Sequence, residues 1–165
     1  MSALGTLPLA SAAIAAEKQG DVRNPESRIL VAYFSRTGNT RVIAGLLHRS
    51  LNADLFEIVP ATPYPDDYLE TVAMAKQERD EGRPRALETK ALDMARYDTV
   101  YLGFPIWGET VPPVIRGFLA EHALSGKALI PFITHGGYGL GDSQSVLARL
   151  APKADLRKGL TMEAD

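Results

Sequence analysis

Three short segments hold the residues best suited to chemistry in this chain. The first is Ser35-Arg36-Thr37-Gly38-Asn39-Thr40, which places three hydroxyls around one Gly-Asn pair. An apolar run precedes it and a helix-period stretch follows. The segment therefore opens a helix, where exposed amides and the helix dipole favour an anion. Hydroxyls add donors without charge, and Gly38 lets the backbone approach a ligand closely. A phosphate monoester suits such a donor set. Serine and threonine also cap helices routinely, but three hydroxyls about one turn exceed what a cap needs. The segment is not a triphosphatase loop, because no Gly-Lys-Ser/Thr stands at the required spacing.

The second segment is Pro105-Ile106-Trp107-Gly108, which contains the single tryptophan of the chain. A planar aromatic on a rigid turn can stack against a planar ligand, whereas a lone tryptophan otherwise fills the core or a groove. Its place between Pro105 and Gly108 predicts exposure at a sheet edge. The third segment runs Thr134-His135-Gly136-Gly137-Tyr138-Gly139-Leu140-Gly141. Its glycines alone would suggest a dinucleotide loop, but too little chain follows for the second half of such a fold. Tyr138 could cover the other face of a ring or stand exposed on the loop. His135 is a candidate near the ligand, although a histidine without a partner usually packs or faces solvent. His48 and His122 have no ligand spacing, so no metal site is expected. No catalytic residue is expected either, since neither Ser35 nor Ser143 lies in Gly-x-Ser-x-Gly. A receiver domain would need acidic residues after the first strand, where Tyr33-Phe34-Ser35 stands.

The elements that must position these segments alternate in type. Ile29 to Phe34 is a continuous apolar run, as in a central parallel strand covered on both faces. Ile43, Leu46, Leu47 and Leu51 form a helical stripe. Leu55 to Val59 reads as the second strand, closed by Pro60. A helix from about Asp67 to Glu81 is marked by Leu69, Val72, Ala73 and Lys76, and stops at Gly82. Thr99 to Phe104 is the third strand. Pro112 and Pro113 suit a helix's first turn, and Val114, Ile115, Phe118, Leu119 and His122 continue it. Ala128 to Ile133 is the fourth strand, and Pro131 inside it implies an edge, a bulge or a strand end. A helix carries Val146, Leu147 and Leu150, and Leu156 to Met162 begins a fifth strand. Such alternation predicts an open, doubly wound parallel α/β sheet with its ligand beyond the carboxyl ends of the strands.

The run from Ile29 to Thr40 resembles the first strand and phosphate loop of the flavodoxin family, whose loop reads Thr/Ser-x-Thr-Gly-x-Thr. Ser35 to Thr40 matches each fixed position. The resemblance continues through Gly103-Phe104-Pro105-Ile106-Trp107-Gly108 and Phe132-Ile133-Thr134-His135-Gly136-Gly137, and covers most of residues 28–165. It implies a five-stranded sheet of order 2-1-3-4-5 that binds FMN non-covalently. Ser35, Arg36, Thr37, Gly38, Asn39 and Thr40 would then hold the phosphate. Pro105, Ile106, Trp107 and Gly108 would frame the ring, with Thr134, His135, Gly136, Gly137 and Tyr138 opposite. It also implies that a main-chain carbonyl near Gly108 can turn towards the flavin N5, with Glu109 and Thr110 nearby.

Composition narrows the partners. The chain has 165 residues, 18 Lys and Arg against 20 Asp and Glu, a formal charge of −2, and no cysteine. Nucleic acid is not an expected partner, since it calls for a strongly basic face. Thiolate nucleophiles, disulfides and Cys-ligated clusters are excluded. Residues 1 to 16 are uncharged, and Ala13, Ala15 and Ala16 precede Glu17 in the manner of an export signal that lacks its basic start. Export to a periplasmic or extracellular space is therefore favoured over the cytoplasm, with a flexible arm as the alternative. The apolar run falls short of the roughly 20 residues of a membrane span, so no stable membrane anchor is expected. Residues 1–27 are set apart as this segment and a linker, and residues 28–165 as the flavodoxin-like domain. The helix that should follow strand five is missing, so one sheet face would need residues 3–16 or a second copy of the chain, as a homodimer, to cover it.

The functional expectation is an FMN-binding electron-transfer protein whose partner is a redox protein or a small electron acceptor. Two alternatives remain: an NAD(P)H-dependent quinone or flavin reductase on the same scaffold, and a cofactor-free binding module. The near-balanced charge favours the reductase over a strongly acidic carrier.

Overall fold

A computed structural model describes residues 21–164 with the exception of Leu92. In chain order the elements are β1 (Ile29–Tyr33), α1 (Asn39–Leu51), β2 (Asp54–Glu57), α2 (Tyr68–Asp80), β3 (Thr99–Pro105), α3 (Pro113–Glu121), β4 (Ala128–His135), α4 (Ser143–Leu150), β5 (Asp155–Leu156) and β6 (Leu160–Glu163). The strands pair in parallel in the order β2-β1-β3-β4, and β5 and β6 both pair with β4. This is the doubly wound flavodoxin-like order expected above. The chain winds outward from β1 to β2, then crosses back to β3. The carboxyl ends of β1, β3 and β4 therefore open at the point where the winding reverses.

Alternation along the strands divides the core in two. Leu30, Ala32, Phe34, Leu102 and Phe104 pack under α3 and α4 with Ile115, Phe118 and Leu147. Val31, Tyr33 and Phe132 pack under α1 with Ala44, Ile43 and Leu47. On the α1 side, Leu46, Leu160 and Met162 remain exposed. The expectation that residues 3–16 cover that face falls outside the described residues, as does the export-like segment 1–16. None of the described helices is long and apolar enough to cross a membrane.

Local chemistry sets the helix ends. Gly38 precedes α1 at φ 101°, and α1 closes on Asn52 at φ 49°. Asp67 caps α2 by accepting the Glu70 amide at 2.9 Å. Pro113 begins α3. The α2 boundaries agree with the sequence reading, but its inward face does not. Thr71 and Ala75 are buried, whereas Leu69 is 73% and Val72 45% exposed. Periodicity registers a helix without telling which side meets the protein, and here Leu69 stands on the outer side.

Pro131 lies inside a strand paired on both sides. The Ala128 amide donates to Asp98 O on one side, and Leu129 O accepts the Arg157 amide on the other. Alternation therefore turns the Pro131 nitrogen towards the last strand. There the residues between paired positions number two on β4 (Ile130, Pro131) and three opposite (Arg157, Lys158, Gly159). Of the three options the sequence left open, the proline takes the bulge, and the bulge sits in the neighbouring strand, where no ladder donor is required. A side chain at Gly159 would meet Pro131 O at 2.7 Å.

Residues 21–27 are bound to the domain. Val22 and Leu55 exchange amide bonds of 3.1 and 2.8 Å. The buried Asp54 carboxylate accepts the Asn24 amide and the Tyr97 hydroxyl, both at 2.5 Å, and pairs with Arg96.

Two structural residues yield predictions. Gly103 sits opposite Phe132, whose ring would lie 2.1 Å from a β-carbon. Gly103→Ala should destabilise the protein by about 2 kcal/mol by overpacking, read as a lower urea midpoint. An unchanged midpoint would contradict the packing described. His122 donates Nδ1–H to Phe118 O at 2.8 Å and accepts the Ala91 amide at Nε2 at 3.0 Å. Burial pushes its proton affinity below the ordinary value of 6.5. The unfolded chain then binds more protons than the folded one as pH falls below about 6.5, so stability declines across that range. His122→Gln should flatten the decline between pH 7.5 and 5.5 in urea titrations.

Candidate functional site

A concavity of about 520 Å³ lies at the carboxyl end of the sheet between the β1, β3 and β4 loops and α2. Its size is that of a small-molecule or cofactor site. At one end stands the turn after β1. Gly38 has φ 101°, and nothing lies within 4 Å of where a β-carbon would be. The Ser35 hydroxyl accepts the amides of Gly38 (3.1 Å) and Arg41 (3.3 Å), which curls the turn over the start of α1. Gly38 at the cap position brings no side chain of its own, and the first turn of the helix carries no acidic residue. Arg36 donates to Asp66 O at 2.8 Å, so it meets a main-chain carbonyl there. Amides, hydroxyls and one guanidinium around an open glycine form a donor set that fits a phosphate dianion.

Thr40 does not present its hydroxyl to the cavity as freely as its position in the motif implies. Its Oγ1 is hydrogen-bonded to Thr134 Oγ1 at 2.8 Å, and both residues are buried. The pair ties the first turn of α1 to the end of β4.

The turn after β3 is closed by mutual amide bonds between Trp107 and Thr110, at 3.2 and 3.3 Å. Gly108 and Glu109 both take left-handed backbone angles, φ 56° and 61°, as the mirror-image hairpin turn requires. Trp107 meets Phe34 at 5.3 Å and Tyr64 at 4.9 Å between centroids, edge-on in both cases. Tyr64 is itself held by the Arg85 guanidinium 3.9 Å from its ring centroid and by a bond to Glu78 at 3.2 Å. Burial, with Glu78 beside it, pushes the Tyr64 hydroxyl far above its ordinary range. Trp107 is thus half-buried in an aromatic cluster while still lining the cavity, an arrangement between the two sequence readings.

Of the residues singled out from sequence, Arg36, Thr37, Asn39, Thr40, Pro105, Ile106, Trp107, Gly108, Thr134, His135 and Gly136 come together on the cavity wall. Ser35 and Gly38 shape the turn from behind it. Gly137 stands apart, its amide bound to His135 Nδ1 at 3.1 Å. Tyr138 is 83% exposed and away from the wall. Sequence reasoning missed the far wall altogether. Tyr68, Thr71, Val72, Ala75, Lys76 and Arg79 project from one face of α2, and their spacing of three and four was the signal available.

The Flavodoxin family profile matches residues 28–165 of this chain. The chain belongs to the flavodoxin family. Among solved structures, this flavodoxin is similar to a candidate flavoprotein of Bacteroides eggerthii, with 34% identity and a TM-score of 0.76 over 82% of this chain and 87% of that one. A second candidate flavoprotein, from Bacteroides uniformis, shows 32% identity and a TM-score of 0.76 over 83% and 90%. A flavoprotein of Lactobacillus acidophilus solved in complex with FMN shares 18% identity and the fold, with a TM-score of 0.74 over 81% and 92%. No match was found among curated protein sequences.

In this flavodoxin the β3 turn leans on the start of α4. Glu109 O accepts the Asp142 amide at 2.9 Å, and a β-carbon at Gly141 (φ 51°) would lie 1.8 Å from that oxygen. Gly141→Ala should therefore push the turn away, cost about 2 kcal/mol in urea unfolding, and shift Trp107 emission. Retention of both would show that the contact does not position the turn.

Proposed function

We propose that this flavodoxin binds FMN non-covalently and works in electron transfer. The observation that carries the reading is the Ser35–Thr40 turn, a phosphate-compatible donor set at one end of a cavity that reaches Trp107. Arg36, the amides of Thr37, Asn39 and Thr40 and the Thr37 hydroxyl would hold the phosphate. Trp107, fixed by Phe34 and Tyr64, would offer an aromatic surface to the ring, with His135 and Gly136 across the cavity. Bound FMN supplies one- and two-electron redox chemistry, while the protein contributes binding, orientation and electrostatics. The Thr40–Thr134 bond would hold the phosphate turn and the β4 loop at a constant separation.

A second reading is an NAD(P)H-dependent quinone or flavin reductase on the same scaffold. It is favoured by the cationic α2 wall, which a carrier docking to basic partners would not need. Steady turnover of NAD(P)H and a quinone supports the reductase, and inertness without a separate reductase supports the carrier.

Purified protein should take up FMN with quenching of Trp107 emission, and should bind riboflavin at least about 100-fold more weakly, because the phosphate contacts are charge-assisted. Thr37→Ala should weaken FMN about tenfold and leave riboflavin unchanged. Equal affinity for riboflavin and FMN would overturn the phosphate assignment. A protein that stays colourless with FMN would instead be a cofactor-free module.

A further inference from the structure

Charge around the cavity is one-sided. Arg36, Lys76 and Arg79 line it with His135, and no aspartate or glutamate does so among the described residues. The whole chain, by contrast, carries a slight acidic excess. Arg36 belongs to the phosphate turn. Lys76 and Arg79 come from α2 and face the other end, where a single phosphate monoester leaves them unanswered.

Their arrangement is orderly. Tyr68, Val72 and Lys76 follow at intervals of four, and Arg79 three later, along one helix face ~16 Å long. The Arg79 guanidinium lies against the β3 turn, so that a β-carbon at Gly108 would stand 2.6 Å from its Nη1. Both cations share one carboxylate, Asp80, with Lys76 Nζ at 2.7 Å and Arg79 Nε at 3.6 Å. One anion between two cations leaves a net positive charge at the cavity. Behind it, the Arg116 guanidinium lies close enough to Arg79 to feel its charge. Lys76 is 65% exposed, and Tyr68 and Val72 beside it are exposed as well, which sets the group at the cavity mouth. Thr110, on the cavity wall next to Gly108, is buried with its hydroxyl lacking a hydrogen-bond partner among the described residues.

We propose that the Lys76–Arg79 end of the cavity is a binding subsite for a second, anionic small molecule, one with a planar apolar body and a sulfonate, carboxylate or phosphate group. The planar body would lie along Tyr68 and Val72, and the anionic group would be met by Lys76 and Arg79. The inference rests on the flavin reading, because FMN's own phosphate is assigned to the Arg36 end.

The test uses full-length protein, with and without FMN, titrated with 1,4-naphthoquinone-2-sulfonate, with neutral 1,4-naphthoquinone, and with adenosine 2′,5′-bisphosphate. Binding is read by calorimetry and by perturbation of the flavin spectrum. At least one anionic probe should bind about tenfold more tightly than the neutral quinone, and added salt should remove that advantage. Lys76→Gln and Arg79→Gln should each weaken the anionic probe at least about threefold, and about tenfold together. Neutral-quinone and FMN affinities should stay within about twofold. Preference for the sulfonate assigns the subsite to a ring acid, and preference for the bisphosphate assigns it to a nucleotide phosphate.

Equal binding of charged and neutral probes, or anionic affinity unchanged in the double variant, overturns the proposal. A loss of FMN affinity matching the loss of probe affinity overturns it too, since the two cations would then serve the flavin. Failure to take up FMN overturns the flavin reading by itself. The titration of unloaded protein still reads the Lys76–Arg79 subsite in that case.

Discussion

Parallel pairing of β1 with β2 on one side and β3 on the other is the constraint from which the rest of this molecule follows. It forces the connection after β1 and the connection after β3 to leave the same sheet edge in opposite directions. The space between them cannot be filled by either connection. Buried strands of Leu, Val, Ile and Phe make that pairing stable, because both faces are covered and neither register nor direction can slip without exposing apolar side chains.

Around this opening the polar groups are spent in two ways. Some are satisfied internally and rigidify the rim. Thr40 binds Thr134, Ser35 takes two turn amides, and Glu109 O takes the Asp142 amide. Others face the cavity, chiefly the α1 turn and the cationic end of α2, where Lys76 and Arg79 share the one carboxylate of Asp80. Closed, hydrogen-bonded supports behind an electropositive surface are what preorganised recognition of anions requires, since little rearrangement is needed when charge arrives.

Much of this was legible beforehand. The Ser35–Thr40 spacing located the phosphate-compatible turn, and Pro105 and Trp107 located the second loop, because such residues act through local backbone geometry. Pro131 signalled an irregularity but not its place. The bulge arose in the neighbouring strand, which only the sheet register reveals. The burial of Thr40 against Thr134 was equally out of reach, since 94 residues separate the two.

The α2 wall shows most clearly where local reading stops. Leu69, Val72 and Lys76 marked a helix correctly, yet which side would be buried depended on where β3 and α3 placed the cavity. By itself, then, the amino-acid order determined the strands, the helices and the anion-compatible turn, because periodicity, proline and glycine act over a few residues. Only the tertiary structure decided which helix face lines the cavity and which hydroxyls stay available, because those outcomes depend on contacts between segments far apart along the chain.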